Sequence, residues 1–292
     1  MDRLRNANPF SKRETHSRES IITYKVLTIL TWLLSVAVTV YYVFFQPETI
    51  VVDPKHHHEP QPIWYQNRTW QTGFTLNKII TSLYWLGLFL FQIAYIGHLF
   101  SSNADHVNAA CAVGSHFIVN NLLHVGWVLL FSRGHFVWSE VLLILNFFNL
   151  SSLYFRHNTY PRAIHTPVVS GPLAWTFVAI YWNGAIIVHS PDSLVARIFA
   201  NVFVWSFLAY GAFFIIIYKD YTMGFNLSVL SAALGVGQFL HHAIAFQWIF
   251  AFTIMAVLFI LTLIIAVPAW TGRDIPFARS ADAERAPLLA DD

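Results

Sequence analysis

Eight apolar runs, each close to the ~20 residues a helix needs to cross a bilayer core of ~30 Å, constrain this chain more than any other feature of it. They lie near residues 24–45, 77–100, 108–131, 136–156, 168–189, 193–217, 224–243 and 247–269. Unpaired backbone groups are too costly in hydrocarbon for anything but helices and closed barrels to span it. Runs of this length without strict alternation therefore predict an all-α, polytopic helical bundle with about eight transmembrane helices. Composition agrees: 56% of the residues are hydrophobic and 11% charged, against about 25% charged in soluble domains. The bilayer is the expected environment and no nucleic-acid partner is expected. Only a few residues separate the last two runs, which implies a tight hairpin.

The first twenty residues, MDRLRNANPFSKRETHSRES, are polar and charged and contain no apolar core of a cleavable signal. The first span is thus expected to act as the targeting signal. With an even number of spans both termini share a side. Placing them in the cytosol gives that side Arg3, Arg5, Lys12, Arg13, Arg18, Lys25, Arg156, Arg162, Lys219, Arg273, Arg279 and Arg285, twelve of the 17 basic residues, and the positive-inside rule favours this orientation. The expected organisation is a basic cytosolic segment at 1–23, a membrane domain at 24–270 with a lumenal loop at 46–76, and a flexible cytosolic tail at 271–292. Two short motifs fit the same orientation. Asn67-Arg68-Thr69 is an N-glycosylation acceptor, meaningful only in a lumenal segment, and predicts a glycoprotein. Glu284 precedes Leu288 and Leu289 with the spacing of an acidic dileucine sorting signal, which adaptor complexes read in the cytosol. It points to the endomembrane system with the vacuolar membrane preferred, ahead of the plasma membrane or endoplasmic reticulum.

Loop 46–76 carries His56, His57 and His58 among Pro, Glu and Gln, lacks apolar periodicity, and reads as a solvated loop. Ser190-Pro191-Asp192-Ser193 reads as a helix start. In the seventh span Ser228/Ala232, Ser231/Gly235 and Ala233/Gly237 place small residues four apart, a pattern that permits close helix approach. A single cysteine, Cys111, in an Ala-rich apolar stretch reads as a packing residue.

Polar side chains at membrane depth are costly and therefore informative. In the third span His116, Asn120 and His124 recur every four residues and drift only about 40° each time, so they form one stripe. In the fourth, Asn146 and Asn149 share a face, whereas Glu140 points almost opposite Asn149, within reach of Arg133 or His135. The stripe with Glu140, Asn146 and Asn149 is the candidate polar pathway. His titrates near neutrality and Asn both donates and accepts, which suits a transporter or channel-like protein for a proton, ion or small solute. The same residues serve equally well as interhelical hydrogen bonds in a non-catalytic scaffold or sorting partner. A third reading, a His-based metal or haem redox protein, is poorer. His124 lies far in depth from His189 and His241 for a haem pair, and His135, His189, His241 and His242 lack ordered metal spacing. No cofactor or metal is expected. Paired carboxylates, a Gly-x-Ser-x-Gly turn and an HxxxD pattern are all missing, so no enzymatic chemistry is indicated.

The blocks ITSLYWLGLFLFQIAYIGHLFSS, VGSHFIVNNLLHVGW, LNFFNLSSLYFRH, PVVSGPLAWTFVAIYW, KDYTMGF and AFQWIFAFTIM, spread over roughly residues 75 to 270 and joined by the NPFSKRE-type start, resemble a fungal family of multi-spanning membrane proteins defined only as a domain of unknown function. The resemblance implies a multi-spanning fold and a fungal origin. It implies no activity, cofactor or catalytic residue.

Overall fold

The structure is a computed structural model that describes residues 10, 16–48, 59–156, 162–188, 193–241, 244 and 246–271. Among the described residues eight helices are long and apolar enough to cross a membrane: α1 Arg18–Phe45, α2 Lys78–Leu99, α3 Ala104–Ser132, α4 Phe136–Arg156, α5 Arg162–Ile187, α6 Leu194–Tyr218, α7 Tyr221–His241 and α8 Gln247–Thr271. Among the described residues there is no strand, so the all-α polytopic reading holds. The start of α1 and the end of α8 lie at one end of the bundle, here called the terminal end. The α1–α2 connection lies at the other, the loop end.

Helix boundaries follow ordinary capping chemistry. Ser17 accepts from Ser20 N at 3.3 Å with Glu19 in the first turn, and so α1 begins before its apolar run. Asn77 caps α2 by accepting from Ile79 N and Ile80 N, both at 3.1 Å. For α6 the cap is Ser193, which accepts from Ala196 N; residues 190–192 of the expected start lie outside the described residues. The expected continuous sixth span is interrupted at Val204–Trp205, where Ser206 Oγ donates to Phe203 O at 2.6 Å.

Three helices are central. In α5, α3 and α7 the most apolar window is 78, 56 and 61% buried, against 28–33% for the other five, which form the lipid-facing shell. The hairpin α3–α4 packs face to face, α4 joins α5, and α5 and α2 join α7. α8 lies along α7, where Gly235 abuts the Phe252 ring and Ser228 Oγ donates to Met255 O at 3.1 Å, so the small-residue pattern does bring two helices together. α5 contains a π turn at Thr166–Ser170. There Gly171 N bonds Thr166 O, Pro172 has no N–H to offer, and the orphaned Pro167 carbonyl is met by Gln92 Nε2 of α2 at 3.2 Å.

The α1–α2 connection departs from the expected solvated loop. Residues 56–58 lie outside the described residues, but 59–77 contain a short helix, Ile63–Thr69, and then turn into the bundle. Phe74 and Leu76 are buried, and hydrogen bonds tie the segment to α3 and α7. Gln238 Nε2 donates to Thr72 O at 2.9 Å, Asn77 N to Ala233 O at 2.9 Å, and Gln66 Nε2 to Ser132 O at 3.1 Å. Trp64 of this segment stacks on Trp85 and Trp182, extending a cluster with Trp127 and Trp175 whose ring centroids lie 4.8–6.3 Å apart. Polar composition hid this packing because Gln and Asn here serve buried carbonyls instead of water.

Candidate functional site: a closed polar seam and a groove at the loop end

The tight turn after Ser132 sets the register of α3 against α4. Residues at matched distances from it face each other, which brings Asn120 opposite Asn146 and His116 opposite Asn149. His116 Nδ1 donates to Asn149 Oδ1 at 2.8 Å, Asn149 Nδ2 returns a bond to His116 O at 3.0 Å, and Asn146 Nδ2 donates to Asn120 Oδ1 at 2.9 Å. Asn146 also approaches Thr176 Oγ1 of α5 at 3.4 Å. His116, Asn120 and Asn146 are each at most 6% exposed. The seam is thus a chain of direct side-chain bonds. His116 Nε2 is left buried without a hydrogen-bond partner, and the Phe10 ring sits edge-on 5.0 Å from that imidazole while Phe10 O accepts from Arg156 Nη1 at 3.3 Å.

His124 does not continue the seam. The drift of the stripe turns it towards α1 and α2, where Nε2 lies 3.0 Å from Thr39 Oγ1 and the ring is surrounded by Trp85, Phe89 and Trp127. Glu140 is also separate, as its helical angle predicts. Its Oε2 accepts from Asn183 Nδ2 at 2.7 Å, and Asn183 Oδ1 in turn accepts from Ser139 Oγ at 2.8 Å. Arg133, considered as its ion partner, instead donates to Leu129 O at 3.0 Å.

Asn67 carries a structural role. Its Nδ2, the atom a glycan would occupy, donates to Leu76 O at 2.9 Å, its Oδ1 accepts from Leu76 N at 3.3 Å, and the residue is 4% exposed. A glycan on that nitrogen would have to be accommodated beside the bond to Leu76 O. Glu284, Leu288 and Leu289 lie outside the described residues, as do His189 and His242. Among the described residues no three His, Cys, Asp or Glu side chains gather as metal ligands.

The most heavily bonded polar residue was not singled out from sequence. Asp220, between α6 and α7, is 9% exposed. Its Oδ2 accepts from Tyr154 OH, His165 Nε2 and Ser170 Oγ, each at 3.0 Å, and its Oδ1 from Thr222 Oγ1, Thr222 N and Met223 N. It caps α7 while tying α4 and α5 to it. Burial alone would raise its pKa. The hydrogen bond and charge of His165, with the Thr222 and Met223 bonds, outweigh burial and hold the carboxyl well below the usual carboxylate range. The readable signal was Asp directly before an apolar helical run in KDYTMGF, an N-cap pattern.

A cavity of about 730 Å³ opens at the loop end between α1 and α2. Its walls are the last turns of α1, the first three turns of α2, and the segment around Trp64 and Arg68, with Leu240 and His241 closing one side.

Comparison with known proteins adds family context. Residues 197–289 match the family model described as a fungal protein of unknown function (DUF1774). The chain is 24% identical over 241 residues to "Uncharacterized protein C637.03" of Schizosaccharomyces pombe, an alignment covering 80% of this chain and 86% of that protein. No solved structure matches.

Proposed function

We propose that this integral membrane protein is a non-catalytic scaffold or sorting partner of a fungal endomembrane, with both termini in the cytosol, whose intramembrane polar residues hold the bundle together. The observation that carries this reading is the closure of the seam. His116, Asn120, Asn146 and Asn149 are joined by direct bonds of 2.8–3.0 Å instead of lining a water-filled path. Such bonds contribute about 0.6–2 kcal/mol each in membranes. Accordingly His116→Gln and His124→Gln are expected to grow normally under acid, alkaline and metal stress, while Asn146→Leu strands Asn120 and lowers thermal stability in detergent by about 1–3 kcal/mol. A pH-dependent growth defect in the Gln variants, with stability intact, would overturn the scaffold reading.

One observation favours a transporter or channel-like protein instead. His116 Nε2 has no hydrogen-bond partner and Phe10 lies against its ring at the terminal end of the seam, as a removable plug over a titratable group would. Under that reading Phe10→Ala in the same growth assay gives a pH-sensitive phenotype; under the scaffold reading it is silent.

The sorting role rests on Glu284, Leu288 and Leu289 as an adaptor-binding signal. Leu288→Ala combined with Leu289→Ala is expected to move the tagged protein from the vacuolar membrane to the cell surface or endosomes, and an unchanged location would remove adaptor complexes from its partners.

A further inference from the structure

The groove between α1 and α2 is built like an amphiphile site. The two helices touch at the terminal end, where Lys25 Nζ lies 4.9 Å above the ring of Phe100, the C-cap of α2. Towards the loop end they part, and the cavity of about 730 Å³ fills the wedge, a size within the ~300–1,000 Å³ typical of small-molecule sites. Its walls are mainly apolar, with Val40 and Val43 on one side, Leu83 and Leu86 with the small Ser82 on the other, and Trp64 and Trp85 as the floor. Phe44, Leu83 and Leu86 are each more than half exposed, so the wedge opens sideways to the bilayer.

Along α2 the groove runs from Lys78 to Phe89, about 16 Å at ~1.5 Å per residue. That is one leaflet, half of a core of ~30 Å. Polarity changes along this length as it does along a lipid. At the deep end lie Phe89 and Trp85; at the mouth lie Arg68 and Lys78, beside the N-terminus of α2. Glu48, the carboxylate among the lining residues, is bound to Arg68 at 2.8 Å, and among the described residues Lys78 has no acidic partner. Among the described residues the mouth is therefore net cationic at headgroup depth, and the deep end is hydrocarbon-like.

We propose that this groove holds one phospholipid with a net anionic headgroup, the headgroup at Lys78 and Arg68 and one acyl chain between α1 and α2. The site is independent of the seam and of the scaffold reading. It is tested with the full-length protein purified in mild detergent from vesicles of phosphatidylcholine containing a minority of phosphatidylserine, with retained lipid read by native mass spectrometry. The expected result is one phosphatidylserine per protein, with phosphatidylcholine in its place only after Lys78→Gln, which removes one positive charge and lowers phosphatidylserine retention about fivefold, the effect of one lysine on an anionic lipid. Ser82→Trp, or Val40→Trp if that variant fails to fold, fills the wedge and abolishes retention at unchanged thermal stability, whereas Leu90→Trp, on the exposed lipid-facing surface of α2 outside the groove, leaves retention intact. Equal retention by wild type and the groove-filled variant overturns the site, and equal retention of phosphatidylcholine and phosphatidylserine by wild type overturns the anionic headgroup.

Discussion

Asp220→Ala is expected to cost more stability than any other single substitution in the bundle, about 3–5 kcal/mol, with a matching loss of folded yield in detergent. The substitution removes the acceptor for Tyr154, His165 and Ser170 together with the cap of α7, leaving buried donors on three helices unmatched. Against a total stability of about 5–15 kcal/mol for a folded protein, this is a large fraction. Asp220→Asn keeps an oxygen for the Thr222 and Met223 N–H groups but turns an NH2 towards the other three donors, so it falls between Ala and wild type. The pH dependence follows from the direction of the shift. A carboxyl whose folded pKa is depressed contributes stability that is fully present above its unfolded value of about 3.9 and is lost as pH falls through the lower folded value. The wild-type melting midpoint therefore shows no Asp220-linked change between about pH 7 and 5 and declines below about pH 4, and the decline is weaker in Asp220→Ala. An Ala variant with the wild-type midpoint would remove Asp220 from the supports of the fold.

The second large effect is expected at Gly237. A Cβ there would run into backbone of the inward-folded segment, meeting the Thr75 carbonyl oxygen, the Leu76 carbonyl carbon at 2.9 Å and Asn77 N at 3.0 Å. Backbone cannot rotate aside as a flexible side chain can. Gly237→Ala must push residues 72–77 outward, breaking the Asn77 N to Ala233 O and Gln238 to Thr72 bonds and withdrawing Phe74 and Leu76 from the core. The expected cost is about 1–3 kcal/mol, with faster proteolysis of residues 59–77 in the purified protein. Gly87→Ala and Gly97→Ala, where a Cβ meets nothing within 4 Å, are expected to stay within about 1 kcal/mol of wild type. Equal protease resistance of Gly237→Ala and these two controls would show that the segment is not held by this contact.

The number and placement of the spanning helices were legible in the sequence because hydrocarbon demands only length and apolarity, and both are local properties. Local geometry also placed Asn146 with Asn149 on one face and turned Glu140 away from them. The tight turn after Ser132 then made the meeting of α3 with α4 almost unavoidable. Whether that meeting is an open path or a closed seam depends on distances of an ångström between side chains from different helices, and no periodicity encodes these. The same holds for His124, which leaves the stripe only because α1 and α2 stand on that side of α3, and for Glu140, whose partner Asn183 lies on α5. Asn67 shows the limit of a motif most clearly. The sequon is a three-residue pattern, but the fate of its amide is set by Leu76, which folds back beneath it as the segment enters the bundle. Asp220 and the α1–α2 groove are likewise products of tertiary structure. One gathers donors from α4, α5 and α7, and the other is a space that exists only because two helices joined at the terminal end part towards the loop end.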